Sequence, residues 1–450
     1  KRKTDMPIAN GNLVLGTPTA TSITANILLQ NSGEAFMEYS TIQGRYNRKT
    51  ILFKSQDLQP IEIILENLIP STTYYYRLNY RLAGEKDFKQ SPQSWFSTQK
   101  KSDASFSFGV QGDSHPEREG KMFSPALYSQ TLDSVSAKKP DFYFMLGDDF
   151  SIDHLIERGE ANKANIDKVY QLQRAYLGNA GKNPPLFLVN GNHEQAARYL
   201  LDGTENSPAV LAANARKKYF PLPDPGNFYT GDMENVTHVG VLKDYYAFEW
   251  GNALFVTIDP YWHSDSAVDN QAGQNKKGKR NLWDITLGET QYKWLKQTLE
   301  KSKAKYKFVF SHHVLGTGRG GVERAKYFEW GGNGQNGVWD FDKQRPGWDL
   351  PIHQLMVKNK VTIFFQGHDH IFARQELDGV IYQSVPNPAD DSYTAFNREA
   401  YTSGDILANS GFLHVSVSAT QVKVDYIRSY LKDSPALTDE AKKTFSYIIK

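Results

Sequence analysis

The sequence predicts an α/β domain from residue 101 to 450, in which two β-sheets face each other between outer layers of helices, preceded over residues 1–100 by a small all-β sandwich. Three observations predict this. Short alternating segments with no helical period fill the first hundred residues. Beyond them, apolar runs of strand character alternate with helical stretches. Five of those runs end abruptly in clusters of Asp, Asn or His. At 450 residues the chain also exceeds what one core usually organises.

The elements follow in order. SITANILL (22–29), AFMEYST (35–41), PIEIILENL (60–68) and TTYYYRLNYR (72–81) read as strands of the sandwich, with turn residues between them. Leu68, Pro70, Thr72 and Tyr74 in LIPSTTYYYRL resemble the L-x-P-x-T-x-Y corner of fibronectin type III domains, which implies a buried Tyr74 ring whose hydroxyl returns to nearby backbone. Residues 91–105 carry a last strand and then a polar linker. Helices are expected near 122–137, 164–178, 207–218, 290–304 and 348–359, between the ligand-bearing strands. Strand-like runs at 245–259, 380–385, 411–417 and 421–427 predict the second sheet, and LTDEAKKTFSYIIK a terminal helix capped by Thr438.

Composition excludes some classes. Lys plus Arg number 52 against 50 for Asp plus Glu, a net charge of +2, so no global basic field argues for a nucleic-acid binder except where a nucleotide or diester is the substrate. The absence of Cys removes disulfides and thiolate sites and leaves His, Asp and Asn as strong ligands. No apolar stretch approaches the ~18–20 residues needed to cross a bilayer. The polar lead from Lys1 and the wealth of Tyr read as a mature secreted or periplasmic protein whose signal peptide has been removed.

The five clusters carry the chemistry. They end the runs FSFGVQGDSH (106–115), DFYFMLGDD (141–149), PLFLVNGNHE (185–194), KFVFSHH (307–313) and TIFFQGHDH (362–370). Runs this apolar read as strands buried on both faces, and in such sheets ligands bind beyond the carboxyl ends of the strands. Asp113 and His115 lie two apart and can point the same way on an extended segment. Asp148 has two oxygens with which to bridge, Asn192 offers an amide oxygen, and His312, His368 and His370 add imidazoles. Divided between two cations, the set gives Asp113, His115, Asp148 and His370 to one, and Asp148, Asn192, His312 and His368 to the other. Two divalent ions against two carboxylates leave a net positive site suited to an anionic ester, with a metal-activated hydroxide as nucleophile. His193, next to Asn192, stands where it can stabilise the developing charge or protonate the leaving oxygen.

The motifs GDSH, GDD, GNHE, SHH and GHDH resemble those of the calcineurin-like metallophosphoesterases over residues 104–430. With the lead domain, the architecture is similar to purple acid phosphatases and related secreted phosphatases. The resemblance implies a two-sheet αββα metallophosphoesterase sandwich, a dinuclear site of Mn, Zn or Fe, the ligand set above, and His193 with Asp148 as catalytic residues. GHDHIFAR (367–374) is similar to the purple acid phosphatase GHxHxYxR, with Phe372 at the Tyr position. Asp113-Ser-His115 stands where those enzymes have Asp-x-Gly, and Ser151 where they have a ligating Tyr, so a divalent pair without phenolate colour is expected. In the fourth motif His312 and His313 are both open as the ligand, and the family register favours His312.

The remaining polar residues have plainer readings. His154, His238, His263, His353 and His414 are expected as ordinary core or surface residues, Asp149 and Asp153 as structural or solvated carboxylates with a supporting role near Asp148 left open, and His313 as either a support behind the ligands or substrate-facing. Residues 314–348 form a long Gly- and Trp-rich stretch in which Arg319 can pair with a phosphate oxygen. Its tryptophans either stack a base or sugar or pack the loop on itself. Residues 263–284, with the basic KKGKR, read as a solvated loop. The function expected is hydrolysis of small phosphate monoesters, with a phosphodiesterase or nucleotidase as the alternative and a non-catalytic surface-binding protein behind both.

Overall fold

Phenylalanine builds the centre of this fold. The computed structural model describes residues 11–180, 183–272, 281–315 and 318–450. The strand Phe106–Gln111 runs parallel to Phe142–Met145, with Phe108 opposite Phe142 and Val110 opposite Phe144, and Phe142–Met145 runs parallel to Leu186–Leu188. On the other side Phe106–Gln111 pairs antiparallel with Gly411–Val417, which continues to Val422–Arg428 and Phe445–Ile449. In the second sheet Tyr246–Trp250 pairs with Ala253–Thr257, followed by the parallel strands Tyr306–Phe310, Ile363–Gln366 and Val380–Ser384.

Because side chains alternate along a strand, Phe142 and Phe144 face the opposing sheet while Tyr143 and Met145 face the helices. Phe108, Phe144 and Phe187 meet Phe248, Phe255, Phe308, Phe310 and Phe365 across the gap, and Phe144 stacks on Phe310 at 3.9 Å. Each fully buried side chain of this kind contributes about 1.5–3 kcal/mol. The helices Pro125–Lys138, Lys163–Ala180 and Pro208–Tyr219 cover the first sheet, and Glu289–Lys301 and Ile352–Lys358 the second. The expected helices are therefore present, and the layers are αββα. Pro125–Lys138 begins where Ser124 accepts from the Leu127 N–H and Pro125 takes the first helical position, and it ends at Lys139, whose φ is +52°.

The N-terminal strands have their own core, drawn from residues 13–96, in which Tyr74 is buried and its hydroxyl accepts from the Ile69 N–H at 2.8 Å. One of their sheets is not separate, however. Asn12–Gly16 pairs with Ile23–Leu28, which pairs with Ile61–Leu65, and Gly16 bridges in parallel to Leu186, so these three strands extend the first catalytic sheet. Arg174, fully buried in the Lys163–Ala180 helix, seals the junction by donating to the side-chain oxygens of Asn12 at 2.6 Å and Asn26 at 2.7 Å, and to the carbonyls of Asn12, Asn26 and Tyr219.

One expectation needs correction, and for two tryptophans an open choice is decided. Thr438 does cap a helix, accepting from the Ala441 N–H, but that helix is the single turn Asp439–Lys442. The expected terminal helix stops there, and Phe445–Ile449 forms a strand on the exposed side of Val422–Arg428. Its alternating burial is the signature of an edge strand, and pairing with an open edge prevails over local helical preference. Among the tryptophans after His312, Trp330 is fully buried and donates to the Tyr382 hydroxyl at 2.9 Å, and Trp348 stacks on Tyr292 at 3.9 Å. Packing, not ligand stacking, accounts for both. KKGKR lies outside the described residues.

Candidate metal centre

All five clusters arrive at the carboxyl ends of parallel strands, three in the first sheet and two in the second. Asp113 and His115 follow Phe106–Gln111, Asp148 follows Phe142–Met145, Asn192 and His193 follow Leu186–Leu188, His312 follows Tyr306–Phe310, and His368 and His370 follow Ile363–Gln366. The turns are tight. His115, Asp148, His368 and His370 all have positive φ, between +49° and +66°, a conformation that costs about 1–2 kcal/mol per residue. Gly147, at φ +97°, lets its loop approach the backbone of Gly191 closer than any Cβ allows.

Glu194 fastens these turns. Its buried carboxylate accepts from the N–H groups of Asp148 (2.9 Å) and Gly191 (2.7 Å) on one oxygen, and of Asp149 (2.8 Å) and Phe150 (3.1 Å) on the other. Asp148 in turn accepts from the His193 N–H through Oδ1 at 2.9 Å. Asp149 turns away from the cluster to Gln111, Ser114 and Gln173, and burial pushes its carboxyl well above the usual range.

The second partners of the histidines decide what the cluster can hold. His312 Nδ1 donates to the Leu146 carbonyl at 2.7 Å, so in a neutral ring Nε2 carries the lone pair. That lone pair faces Asn192 Oδ1 at 3.0 Å, His368 Nδ1 at 3.2 Å and Asp148 Oδ2 at 3.1 Å. His115 Nδ1 donates to Glu117 at 2.9 Å, which leaves Nε2 aimed at Asp148 Oδ2 (3.6 Å) and Asp113 Oδ2 (3.8 Å). His370 Nε2 lies 3.0 Å from Asp113 Oδ2. With these inner nitrogens unprotonated, ligand-type atoms converge on a point a cation can fill, and fixing of the outer ring nitrogen, as at His312 and His115, is how proteins orient metal-binding histidines. Asp113, Asp148, His312 and His368 form one buried group with ligand atoms within 4.8 Å of one another, and Asp113, His115 and His370 form another. The residues fit divalent metal ions.

Charge follows the same geometry. Burial opposes ionisation of Asp148, but His312 and His193 outweigh it and hold the carboxyl well below its ordinary value. Burial likewise lowers His312, yet Asp148 and Asp113 raise it to about 10. Burial and the neighbouring His312 drive His313 down to about 3, so its ring is neutral.

His193 stands at the rim. Its Nδ1 lies 3.1 Å from Asp153 Oδ1, and Nε2 lies 3.9 Å from Asp148 Oδ2 and 3.1 Å from Arg118 Nη2. The Arg118 contact requires a lone pair on Nε2. Against the pull of burial, Asp148 and Asp153 raise His193 to about 9.

The other expected residues are distributed unevenly. His313 is buried with Nδ1 on the Val314 carbonyl at 2.9 Å, and its ring centroid is 4.8 Å from that of His368. Arg319 donates to the His368 carbonyl and lies 3.4 Å from Asp369, so it props the turn between His368 and His370. Ser151 Oγ lies 3.5 Å from His115 Nδ1, and Phe372 stacks on Tyr426 at 4.8 Å. His353 is satisfied by Tyr382 and Asp378. Sequence reasoning missed Glu117, Arg118 and Glu194, and gave Asp153 only a general supporting role. The signal available for them was proximity in the chain to GDSH, GDD and GNHE. A cleft of about 650 Å³ along the junction of the N-terminal strands with Phe220–Tyr229 contains none of the clustered side chains, so the chemistry belongs to the cluster and not to that cleft.

Comparison with known proteins agrees with this geometry. The family model described as calcineurin-like phosphoesterase matches residues 106–372. The chain is 21% identical over 308 residues to tartrate-resistant acid phosphatase type 5 of Rattus norvegicus, covering 66% of this chain and 77% of that protein. The fold is similar to the structure of PhoD, with a TM-score of 0.64 at 16% identity over 95% of this chain and 87% of that one. It is also similar to purple acid phosphatase PPD1 from yellow lupin (Lupinus luteus) seeds, with a TM-score of 0.59 at 16% identity over 97% and 73%. With the matched family model spanning every cluster from Asp113 to His370, the chain belongs to the calcineurin-like phosphoesterase family and is a metal-dependent phosphoric ester hydrolase.

Proposed function

We propose that the enzyme hydrolyses phosphate monoesters at a dinuclear centre, with Asp113, His115, Asp148 and His370 holding one ion and Asp148, Asn192, His312 and His368 the other. The observation that carries this reading is the position of Asp148 Oδ2, which faces His115 Nε2 at 3.6 Å and His312 Nε2 at 3.1 Å, two lone pairs on opposite groups. Bound divalent ions would act as Lewis acids and lower the pKa of water so that hydroxide is available near neutral pH.

The chain's own residues do the rest. Asp113 and Asp148 bring only two negative charges, so the filled site attracts a dianionic ester. Arg319, about a third exposed, and His313 border the second group and complete the substrate face. As the water oxygen joins phosphorus and the bond from phosphorus to the ester oxygen breaks, His193 Nε2 delivers a proton to that leaving oxygen. Asp153 on Nδ1 keeps the ring aligned and stabilises its charged form.

The test is turnover of p-nitrophenyl phosphate and bis-p-nitrophenyl phosphate by metal-stripped protein reloaded separately with Mn, Zn, Fe or Mg. Metal-dependent monoester hydrolysis that is lost in His193→Ala is expected. A preference for the diester would move the assignment to a phosphodiesterase, and no turnover with any metal would overturn it.

A further inference from the structure

Two side chains stand at the mouth of the cluster without holding it together. Phe396 is 50% exposed, and its ring centroid lies 6.3 Å from that of His370. Its position is fixed by its neighbours. Asn397, at φ +63°, donates to the Asp369 carbonyl at 3.1 Å, and the Tyr401 hydroxyl donates to the Asp369 carboxylate at 2.6 Å. Asp369 lies between His368 and His370, so the loop that presents Phe396 is anchored on the turn that presents both histidines. The tether fixes a half-exposed aromatic face next to His370, where it can meet a bound molecule.

Arg118 occupies the other end. Its Nε donates to Glu117 at 3.1 Å, the same carboxylate that orients His115, and its Nη2 reaches His193 Nε2, with the side chain 31% exposed. The His115 ring lies between the two ends, 5.2 Å from His193 and 5.0 Å from His370. Arg118 therefore stands beside His193 and Phe396 beside His370, with the buried His115 ring touching both histidines, so a cation and an aromatic face flank the one cluster. A guanidinium pairs with phosphoryl oxygens through its fork of N–H donors. A phenyl face takes a flat π-system by stacking.

We propose that Arg118 and Phe396 select the substrate, Arg118 by receiving a phosphoryl oxygen and Phe396 by stacking the organic part. The preferred substrates are then phosphate monoesters whose alcohol carries an aromatic ring, whether a phenol or a nucleoside. This rests on the monoesterase reading above.

The experiment measures kcat/KM of the full chain, loaded with its most active metal, for phenyl phosphate, a nucleoside monophosphate and glycerol phosphate. Leaving-group reactivity differs among these esters, so the informative quantity is how each variant changes the ratio of aromatic to aliphatic ester. Phe396→Ala lowers that ratio about tenfold, mostly through KM, as loss of one stacked ring does, while Phe396→Tyr retains it. Arg118→Ala lowers kcat/KM for aromatic and aliphatic esters alike and leaves the ratio unchanged. Whether the phenyl or the nucleoside ester responds more to Phe396→Ala separates the two sources of the ring. If the wild type hydrolyses the esters and Phe396→Ala leaves every ratio unchanged, this inference is overturned and the monoesterase reading stands. If the wild type hydrolyses none of them with any metal, both fall.

Discussion

Glu194→Gln replaces an oxygen with an amino group and changes almost no volume, so its effect isolates the four N–H groups that this carboxylate receives. Oε2 serves Asp148 and Gly191, and Oε1 serves Asp149 and Phe150. Whichever way the glutamine amide is turned, two backbone donors face a donor. Burial and Asp148 raise this carboxyl to about 7, so above that pH its hydrogen bonds are to a charged group, worth about 1.5–3 kcal/mol each, and losing two costs about 3–6 kcal/mol. That cost falls on the turn that holds Gly147 and Asp148 at positive φ, and the turn relaxes away from the geometry that places Asp148 between His115 and His312. The expected result is a lower urea midpoint by far-UV circular dichroism, less bound metal per chain than the wild type by elemental analysis, and at least a hundredfold loss of phosphoric ester turnover. A Glu194→Gln protein with wild-type midpoint and full metal content would refute the reasoning.

Other perturbations follow from the same geometry. Arg174→Met removes donors to two asparagine oxygens and three carbonyls at the junction, and is expected to cost roughly 3–6 kcal/mol through unsatisfied acceptors. Tryptic cleavage near Lys100 and Lys101 should accelerate well beyond wild type, and unchanged cleavage would count against the junction as described. Tyr401→Phe removes the 2.6 Å bond to Asp369, which lies between the candidate ligands His368 and His370, and should weaken metal affinity by chelator competition. Burial lowers His312, but Asp148 and Asp113 outweigh it and raise the metal-free imidazolium to about 10, so filling the site at pH 7 expels a proton. Because that pKa is raised, the metal-free protein gains stability from this proton below about pH 6.5, the unfolded value. The gain is lost as pH rises towards 10, and metal affinity climbs over the same range. Calorimetric titrations in two buffers of different ionisation enthalpy should show the release, and His312→Ala should lose it.

The two-sheet plan and the ligand clusters were legible because each ligand-bearing strand is apolar on both faces until the chain breaks into polar residues at its end. Phe142 and Phe144 lead straight into Asp148 and Asp149, carboxylates that stay buried and therefore need partners where the apolar run ends. His312 and His313 could not be separated by type, since the distinction lies in the Leu146 carbonyl, which reaches His312 Nδ1 from another strand. Glu194 was visible as a letter of GNHE, but its role depends on four N–H groups brought together by two loops. Phe396 carries no motif at all, and only the fold brings it beside His370. The tail was misread for a related reason. Thr438 and the charged run after it do start a helix, whereas the strand beyond it exists because Val422–Arg428 offers an unpaired edge.

The three N-terminal strands that continue the first catalytic sheet bear on where this chain can be divided. A fragment beginning at residue 101 would carry every clustered aspartate and histidine and so seem self-sufficient. It would also expose the flank of Leu186–Leu188 that Gly16 meets, and strip Arg174 of its four asparagine acceptors. An open strand flank beside a solvent-stranded apolar face is a template for a neighbouring molecule's strand. Attempts to shorten the enzyme from this side should therefore end in self-association, and soluble fragments should be sought only among those that retain Asn12 through Leu65.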